Sequence, residues 1–492
     1  MAIGAKRESI IKCETISADM PIDNAFPLVA PRVAAPLHPE FRPAVLAVRA
    51  FDDLVSRSGR PVPVRIGLEQ TDGSVFHFHT RLLPADHPQA TANATHLERF
   101  VKFILWSRGG WRIYLDGPAE AAAQLSAHYR ETATGRFDSN FVGERIFDHP
   151  IAVVHTSDLP PERSTTRPLG RHLDGCRIGF DLGGSDRKVA SVIDGRVVFS
   201  EETVWDPYHK PDPQYHYDGI MDSLAKAAAH LPRVDAIGGS AAGVYVNNRV
   251  KAGSLFRGVA PDVFEARVKD LFFAIKHAWN DVPFEVVNDG EVTALAGSMS
   301  LNQNAILGIA LGTSTAAGYV TRDGNITSWL DELAFVPIDY DPGAPVDEWS
   351  GDYGVGSQYF SQQAVGHLIP RAGIELPQGP APGLPERLKM VQALRSQGDE
   401  RATRIYQTLG VYLGYGVAHF ASFYDLRHVL VLGRVTSGPG GDDIVNGARH
   451  VLEVEFPELA ARIAFHVPDE HEKRHGQAIA AASLPDISVE KR

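Results

Sequence analysis

The stretch from Arg177 to Ala190, RIGFDLGGSDRKVA, predicts a strand, a tight turn and a second strand. An apolar run brings Asp181 to the turn Gly183-Gly184, and Ser185 and Lys188 lead into the next strand. Glycines let a backbone pass close to an anion and direct N–H groups at it, and a carboxylate at a strand end can hold a hydrated divalent metal. The pattern indicates a nucleotide-phosphate loop. An ordinary β-hairpin turn uses the same residue types and stays open as an alternative.

Three later segments also end a strand on residues suited to a ligand. An apolar strand from Asn304 to Leu311 precedes a second turn, Gly312-Thr313-Ser314-Thr315. The strand Phe284–Val287 ends at Asn288-Asp289-Gly290, directly before a helix, and Val429–Leu432 ends at Gly433 before another glycine-rich turn. Their order along the chain carries more information than any single segment.

This order of segments resembles the ROK family of sugar kinases, within the superfamily of actin and hexokinase, over about residues 176 to 485. The family's Asp-Ile-Gly-Gly-Thr loop is matched by Asp181-Leu182-Gly183-Gly184-Ser185, and its Leu-Gly-Thr-Gly loop by Leu311-Gly312-Thr313-Ser314. Its catalytic Asn-Asp falls on Asn288-Asp289, and its adenosine-side strand on Val429–Gly433. The resemblance implies an α/β fold of two actin-like (ribonuclease H-like) lobes around a nucleotide cleft. The strand and helix patterns before residue 158 predict an α+β domain in front of it.

The resemblance also implies the chemistry, an ATP- and Mg²⁺-dependent kinase of a sugar-like hydroxyl. Asp289 would orient and deprotonate that hydroxyl, although an Asp at this position could also serve only as a helix N-cap. Lys188 would contact phosphate, with a solvated strand residue as the alternative. The implied phosphate-side residues are Asp181, Gly183, Gly184, Ser185, Lys188, Gly312, Thr313, Ser314 and Gly433, with Asp181 holding Mg²⁺ through water. The implied acceptor-side residues are Gly243, Asn288, Glu332 and Ser357.

The acceptor side departs from the family pattern. Where the family has Gly-Glu-x-Gly-His, this chain has Asp331-Glu332-Leu333-Ala334-Phe335, so the Glu remains and Phe335 replaces the His. A second sugar-binding Glu of the family aligns with Ser357, and the family's zinc loop is missing. Unpaired sugar hydroxyls are costly to bury, which disfavours a hexose. We expect a less hydroxylated polyol, a sugar acid or a cyclitol.

The domain boundaries follow from composition. The Pro-rich segment 159–168 separates an N-terminal domain, residues 1–170, from a first lobe, 171–303, and a second, 304–473, and the C-terminal helix 474–492 could join the first lobe. In the N-terminal domain, the proline-rich start should wrap over a neighbouring surface, with a partly disordered leader as the alternative. Val62–Leu68 and Val75–Leu83 should form a hairpin. His77 and His79 on that hairpin could bind a metal or lie on a solvated face. In the first lobe, Pro261 predicts a long helix to about Trp279.

Composition narrows the partners. The chain has 492 residues, a net charge of −12 and two cysteines, Cys13 and Cys176. This charge argues against a surface that binds nucleic acid or an anionic membrane. The N-terminal domain is also too long for the winged-helix domain of a ROK repressor and lacks a basic helix, so operator binding is not expected. We expect a cytoplasmic protein with a small-molecule substrate, and leave a homodimer open. The rival functions are a catalytically silent sugar or nucleotide sensor and a phosphatase or hydrolase on the same fold.

Overall fold

The computed structural model describes residues 26–164, 169–377, 380–467 and 470–488. Within these ranges the strands form three sheets, of four, five and four strands, and one two-stranded ribbon. No helix among the described residues combines the length and apolar composition that crossing a membrane requires. The predictions for residues 1–25, including Cys13, and for 489–492 lie outside the described residues.

The N-terminal unit is a four-stranded sheet with helices packed against it. Its elements are α1 (Ala44–Arg57), β1 (Val62–Glu69), β2 (Val75–Leu82), α2 (Ala92–Arg108), β3 (Arg112–Asp116), α3 (Ala119–Glu131), α4 (Ala133–Asp138), a π-helix over Ser139–Ile146, and β4 (Ala152–His155). The strand order is β2-β1-β3-β4, with β1 antiparallel to both neighbours and β4 parallel to β3. The predicted hairpin is therefore present as β1 and β2.

The first lobe has the strand order and directions of a ribonuclease H-like sheet. Its elements are β5 (Cys176–Leu182), β6 (Asp186–Ile193), β7 (Arg196–Val204), α5 (Gln214–Ala228), β8 (Ala236–Ala241), the ribbon β9 (Val244–Val246) and β10 (Arg249–Ala252), α6 (Pro261–Val263), α7 (Leu271–Ala278), β11 (Phe284–Asn288) and α8 (Asp289–Leu301). The order is β11-β8-β5-β6-β7. Strands β5, β6 and β7 form an antiparallel meander, and β8 and β11 continue the sheet parallel to β5.

One helix prediction in this lobe is wrong. The expected continuous helix from Pro261 to about Trp279 is broken, because α6 passes into a π-helix over Phe264–Val268 and α7 begins only at Leu271. The cause is tertiary: the Lys269 carbonyl leaves the helical pattern and accepts a hydrogen bond from the Val250 N–H in β10, at 3.0 Å. Sequence periodicity carries no information about that partner.

The second lobe repeats the arrangement with one strand fewer. Its elements are β12 (Ile306–Leu311), β13 (Thr315–Val320), α9 (Gln362–Arg371), α10 (Leu384–Ser396), α11 (Glu400–Phe420), β14 (His428–Leu432), α12 (Pro439–Glu455), α13 (Pro457–Ala460) and β15 (Ala464–His466), after which the chain continues into α14 (Glu470–Ala482). The order is β13-β12-β14-β15, with β13 antiparallel to β12 and the other pairs parallel. Two actin-like lobes are thus present, as the sequence predicts.

The C-terminal helix α14 returns to the first lobe. A Cβ placed on Gly179 of β5 or Gly238 of β8 would collide with carbonyls of Ala478 and Ala481, so the helix lies directly on that sheet. Glycine is needed at both positions because the two backbones approach so closely.

The N-terminal unit shares its hydrophobic core with the second lobe. Phe103 of α2 stacks on Phe423, just after α11, with ring centroids 3.8 Å apart. The described part of the proline-rich start lies along α11, where the Leu37 N–H donates to Thr408 Oγ1 and Phe41 packs on Tyr412. This segment covers a neighbouring surface, as predicted.

Buried ions reinforce the same contact. Lys102 of α2 lies 3.0 Å from carboxylate oxygens of both Asp138 and Asp352, and Arg99 makes a two-bond contact with Asp352. Asp352 belongs to the long segment between β13 and α9. The N-terminal unit therefore holds a segment of the second lobe that the resemblance places on the acceptor side.

Candidate active site

The first glycine turn connects β5 to β6. The Gly183 N–H donates to the Asp186 carbonyl at 2.9 Å, which closes a hairpin turn, so the hairpin alternative describes the backbone correctly. A Cβ on Gly184 would collide with the ring and hydroxyl of Tyr208. Ser185 at the tip is exposed. Hairpin geometry and phosphate binding are compatible here, because the turn lies at the end of β5 where Asp181 also lies.

Asp181 is a buried carboxylate held from two sides. Ser240 Oγ donates to its Oδ1 at 2.7 Å, and Lys188 Nζ lies 3.5 Å from its Oδ2. Burial raises the pKa of Asp181, and the bonds from Ser240 and Lys188 oppose that rise only in part. Burial also opposes the charge on Lys188, but Asp181 and Asp186, the latter 3.1 Å away, outweigh it and raise the pKa of Lys188. Lys188 is therefore a partly buried member of an ion-pair group with Asp181 and Asp186, and its contact with phosphate stays a prediction.

The second turn lies at the equivalent position in the second lobe. Gly312 N–H donates to the Ser314 carbonyl at 3.0 Å, and both Thr313 and Ser314 are exposed. Gly433, at the end of β14, has a φ of 95° and faces the Leu311 backbone so closely that a Cβ would lie 2.6 Å from the Leu311 nitrogen. The structure thus brings Gly433 against the base of the second turn.

Asp289 is the first residue of α8, directly after β11. Its neighbour Asn288 is the N-cap, since the Asn288 side chain accepts from the Gly290 N–H at 2.7 Å and donates to the Gly243 carbonyl at 2.7 Å. Asp289 is not the cap, although its Oδ1 accepts a second bond from Gly290 at 3.1 Å. Burial in the cleft, and secondarily the charge of Asp181, raise the pKa of Asp289 to about 6. This carboxyl is therefore sensitive to charge on the phosphate side.

The start of α8 contacts the second lobe. A Cβ on Gly290 would lie 2.5 Å from the Ala317 carbonyl of β13, and one on Gly318 would meet the backbone of Glu291. Because glycines occupy both positions, the first turn of α8 rests on the strand that follows the second glycine turn. Asp289 consequently lies between the two lobes.

Glu332 is positioned by the N-terminal unit. The N–H groups of Asp331 and Glu332 donate at 3.0 Å to the carbonyls of Ser107 and Trp106, in the last turn of α2. These carbonyls lack intrahelical partners at a helix end, so the acceptor-side segment satisfies them. Asp331 has a φ of 49°, a left-handed conformation that a residue other than glycine adopts at a cost.

The carboxyls of this segment interact with Asp289. Burial raises the pKa of Glu332 to about 7, and Asp289 and Asp331 add to the shift. Burial raises the pKa of Asp331 to about 6, although the Tyr424 hydroxyl donates to it at 2.7 Å. Glu291, also buried, has a raised pKa because of burial and the charge of Asp331. The sequence analysis includes Glu332 among the acceptor-side residues but overlooks Glu291, whose only signal is its place in the first turn of α8.

Phe335 lies in an aromatic cluster. Its ring centroid is 4.3 Å from that of Trp106, 5.7 Å from Phe137, 6.3 Å from Phe141 and 6.5 Å from Trp349. Phe335 is 8% exposed, whereas Trp349 is 70% exposed. The position where the family has a histidine is therefore packed against rings of the N-terminal unit, which sequence reasoning gives no means to find.

Ser357 is buried and its hydroxyl donates to Asp347 Oδ1 at 2.9 Å. Asp347 also accepts from the Ser350 backbone and hydroxyl and from the Gln358 amide. Ser357 thus helps to order the loop around Asp347, and its predicted contact with substrate stays a prediction.

The metal predictions have different outcomes. In the described ranges no group of three or more His, Cys, Asp or Glu side chains could hold a metal ion. His77 Nε2 instead hydrogen-bonds the Pro160 carbonyl at 2.7 Å, so the described residues give no metal site on the hairpin. A hydrated Mg²⁺ needs only one or two carboxylates beside the nucleotide phosphates. Asp181 fits that role, because its buried carboxylate is only partly compensated by Lys188.

No protein-family model and no curated protein sequence matches the chain, but solved structures do. The hexokinase from Thermus thermophilus is 16% identical, with a TM-score of 0.49 over 64% of this chain and 100% of its own. The glucokinase from Streptomyces griseus, solved with glucose and AMPPNP, is 20% identical, with a TM-score of 0.46 over 63% and 98%. A transcriptional regulator, a homolog of the E. coli MLC protein, is 18% identical, with a TM-score of 0.47 over 63% and 79%. All three are ROK proteins. Because kinases and a regulator are both similar to this chain, the comparison assigns no activity.

Proposed function

We propose that the chain is a kinase that transfers the terminal phosphate of ATP to a hydroxyl of a sugar-like polyol. The observation that carries the proposal is the position of Asp289. Its carboxyl is coupled electrostatically to Asp181 on the phosphate side and to Glu332 on the acceptor side. A group between the two halves of a phosphoryl transfer is placed to act on the attacking hydroxyl.

Asp289 acts as the general base. With a pKa of about 6 it is mostly ionised at pH 7, yet basic enough to accept a proton. The acceptor hydroxyl gives its proton to Asp289 while its oxygen bonds to the terminal phosphorus of ATP, and the bond from that phosphorus to the bridging oxygen of ADP breaks. General-base assistance of this kind contributes on the order of 10²–10⁴-fold.

The donor half positions and neutralises the phosphates. The N–H groups of both glycine turns, the Lys188 ammonium and the exposed Thr313 hydroxyl supply hydrogen bonds to phosphate oxygens. Mg²⁺, held through water by Asp181, would supply further compensation of phosphate charge. Ser240 fixes the Asp181 side chain through its 2.7 Å bond.

The acceptor half combines carboxyls with aromatic rings. Glu332, with a pKa of about 7, can both donate and accept hydrogen bonds near neutral pH. Phe335 and the exposed Trp349 offer apolar faces where the family supplies an imidazole. This combination favours an acceptor with few hydroxyls on one face, and the N-terminal unit takes part through Trp106.

The test is transfer of labelled terminal phosphate from ATP to a panel of polyols, sugar acids and cyclitols. We expect a labelled phosphoester with the wild type and a loss on the order of 10²–10⁴-fold in Asp289→Asn. Asp262→Asn, an exposed aspartate in the same lobe, is the matched control and should retain turnover. Nucleotide binding without product, equal in wild type and Asp289→Asn, would favour the sensor. Release of free phosphate alone would favour the hydrolase.

A further inference from the structure

A cavity lies at the end of the second lobe's sheet that is opposite to Gly312 and Gly433. It has a volume of about 410 Å³, within the range of roughly 300–1,000 Å³ usual for small-molecule sites. Arg171, Arg322, Arg427 and His428 contribute to its lining, together with backbone and amide groups of residues 302–305. We call it the arginine cavity.

The arginine cavity is separate from the proposed active site. Residues 302–305 precede β12 and His428 begins β14, whereas Gly312 and Gly433 follow the other ends of these same strands. At a rise of about 3.3 Å per residue, a strand as long as β12 puts roughly 20 Å between its two ends. A ligand in one site would not touch the other.

The arginine cavity is positively charged, whereas the whole chain is negatively charged. Three guanidinium groups line one concave surface in a protein of net charge −12. Asp425 compensates Arg322 at 2.5 Å, but the Arg427 side chain is exposed and has no hydrogen-bond or ion-pair partner among the described residues. A cavity wall of this kind attracts anions, and guanidinium forks match phosphate oxygens geometrically.

Three residues of the cavity wall have left-handed backbone conformations. Arg171, Asn302 and Ala305 have φ values of 66°, 49° and 54°, a left-handed region that alanine in particular avoids. Arg171 holds the wall together by donating to Ser298 Oγ at 2.7 Å and to Asn304 Oδ1 at 2.8 Å. Backbone strain persists where surrounding contacts impose it and is concentrated at ligand clamps and switch regions.

We propose that the arginine cavity binds a small phosphate monoester. Arg427 contacts the phosphate directly, Arg322 exchanges Asp425 for it, and Arg171 adds a fixed positive charge from the wall. The volume of about 410 Å³ leaves room for an esterified group beside the phosphate. The proposal does not depend on kinase activity.

The test is calorimetric titration of the full chain, without nucleotide, with glycerol 3-phosphate and separately with inorganic phosphate. We expect saturable binding, tighter for the ester, and affinity at least about tenfold lower in Arg427→Gln, as the loss of one charge-assisted hydrogen bond implies. Arg427→Lys should retain part of the affinity. Arg130→Gln, an exposed arginine on the N-terminal unit, should change nothing.

Lys188→Gln separates this site from the phosphate turns of the proposed active site. We expect this variant to bind glycerol 3-phosphate as the wild type does. Loss of binding in Lys188→Gln with full binding in Arg427→Gln would overturn the proposal. Absence of saturable binding to the wild type, or a preference for inorganic phosphate over the ester, would overturn it as well.

Discussion

The donor and acceptor halves of the proposed site are built in different ways. On the donor side, each turn follows its own strand within a few residues, and the two lobes repeat the device at Gly183 and Gly312. On the acceptor side, Glu332 depends on hydrogen bonds to α2, and Phe335 on rings that come from the N-terminal unit. Local backbone geometry thus makes the donor half, whereas contacts between distant segments make the acceptor half. Perturbing each half separately should therefore have different consequences.

The largest effect should come from the buried ions that hold the acceptor half. Lys102→Met leaves the carboxylates of Asp138 and Asp352 without one of their cations, which should lower the free energy of unfolding by about 3–5 kcal/mol. Urea denaturation measures this change. Lys226→Met removes an exposed lysine that pairs with Glu201 and Asp222 and should cost far less, because water screens exposed ion pairs. Equal losses in the two variants would contradict a special role for the buried ions.

The same ions predict a pH dependence. Burial would raise the pKa of Asp352, but Arg99 and Lys102 outweigh it and hold that pKa well below its usual range. Its stabilisation is therefore fully present above the unfolded value of about 4 and is lost as the pH falls through the lower folded value. Unfolding free energies of the wild type and Lys102→Met should accordingly converge below about pH 4. If the difference in unfolding free energy between the two proteins stayed constant as the pH fell below about 4, the Asp352 carboxylate would not be stabilised by Lys102.

An intermediate effect is expected at Asp289, between the two halves. Its folded pKa, about 6, lies above the ordinary value of 3.8, so its contribution to stability is present at low pH and lost as the pH rises through 6. Asp289→Asn, neutral at every pH, should be more stable than the wild type at pH 8 by about 1–3 kcal/mol, with partial exposure favouring the lower figure. At pH 4 the two should unfold alike. If the difference in unfolding free energy between the wild type and Asp289→Asn did not depend on pH, ionisation of the Asp289 carboxyl would not destabilise the fold.

The last comparison concerns two glycines of the second lobe, one of them in the donor half. Gly433→Ala places a side chain at a φ of 95° and against the Leu311 backbone, whereas Gly438→Ala meets the same kind of constraint, φ 75°, in open space. Each should cost about 1–3 kcal/mol, because both backbones combine a positive φ with an extended ψ that essentially only glycine adopts, and the clash with the Leu311 backbone adds to the cost of Gly433→Ala. Only Gly433→Ala should also raise the KM for ATP, because it displaces the base of the second turn. If steady-state kinetics gave the same KM for ATP in both variants, Gly433 would have no particular role in nucleotide binding.

The donor half could be predicted because its determinants are contiguous in sequence. Gly183-Gly184 follow the apolar run that contains Asp181, and Asn288-Asp289 follow another apolar run. The same stretch of sequence therefore predicts both the strand end and the ligand-binding residues. Ser240 could have been found by the same logic, since it lies near the end of the parallel strand beside β5. The break in the helix after Pro261 could not, because it depends on a hydrogen bond from β10.

The sequence by itself determined the two actin-like lobes, the two glycine turns and the placement of Asp289 at a strand-to-helix junction. The turns and the strand end before Asp289 follow from apolar periodicity and from the backbone freedom of glycine, both of which are local, whereas the two lobes were expected from the family resemblance that the order of these segments carries. Only the tertiary structure decided that the N-terminal unit shares a core with the second lobe, carries Glu332 on the end of α2 and surrounds Phe335 with aromatic rings. Those contacts join residues more than 190 positions apart, such as Phe335 and Phe141, and no local pattern encodes which distant surfaces will pack together.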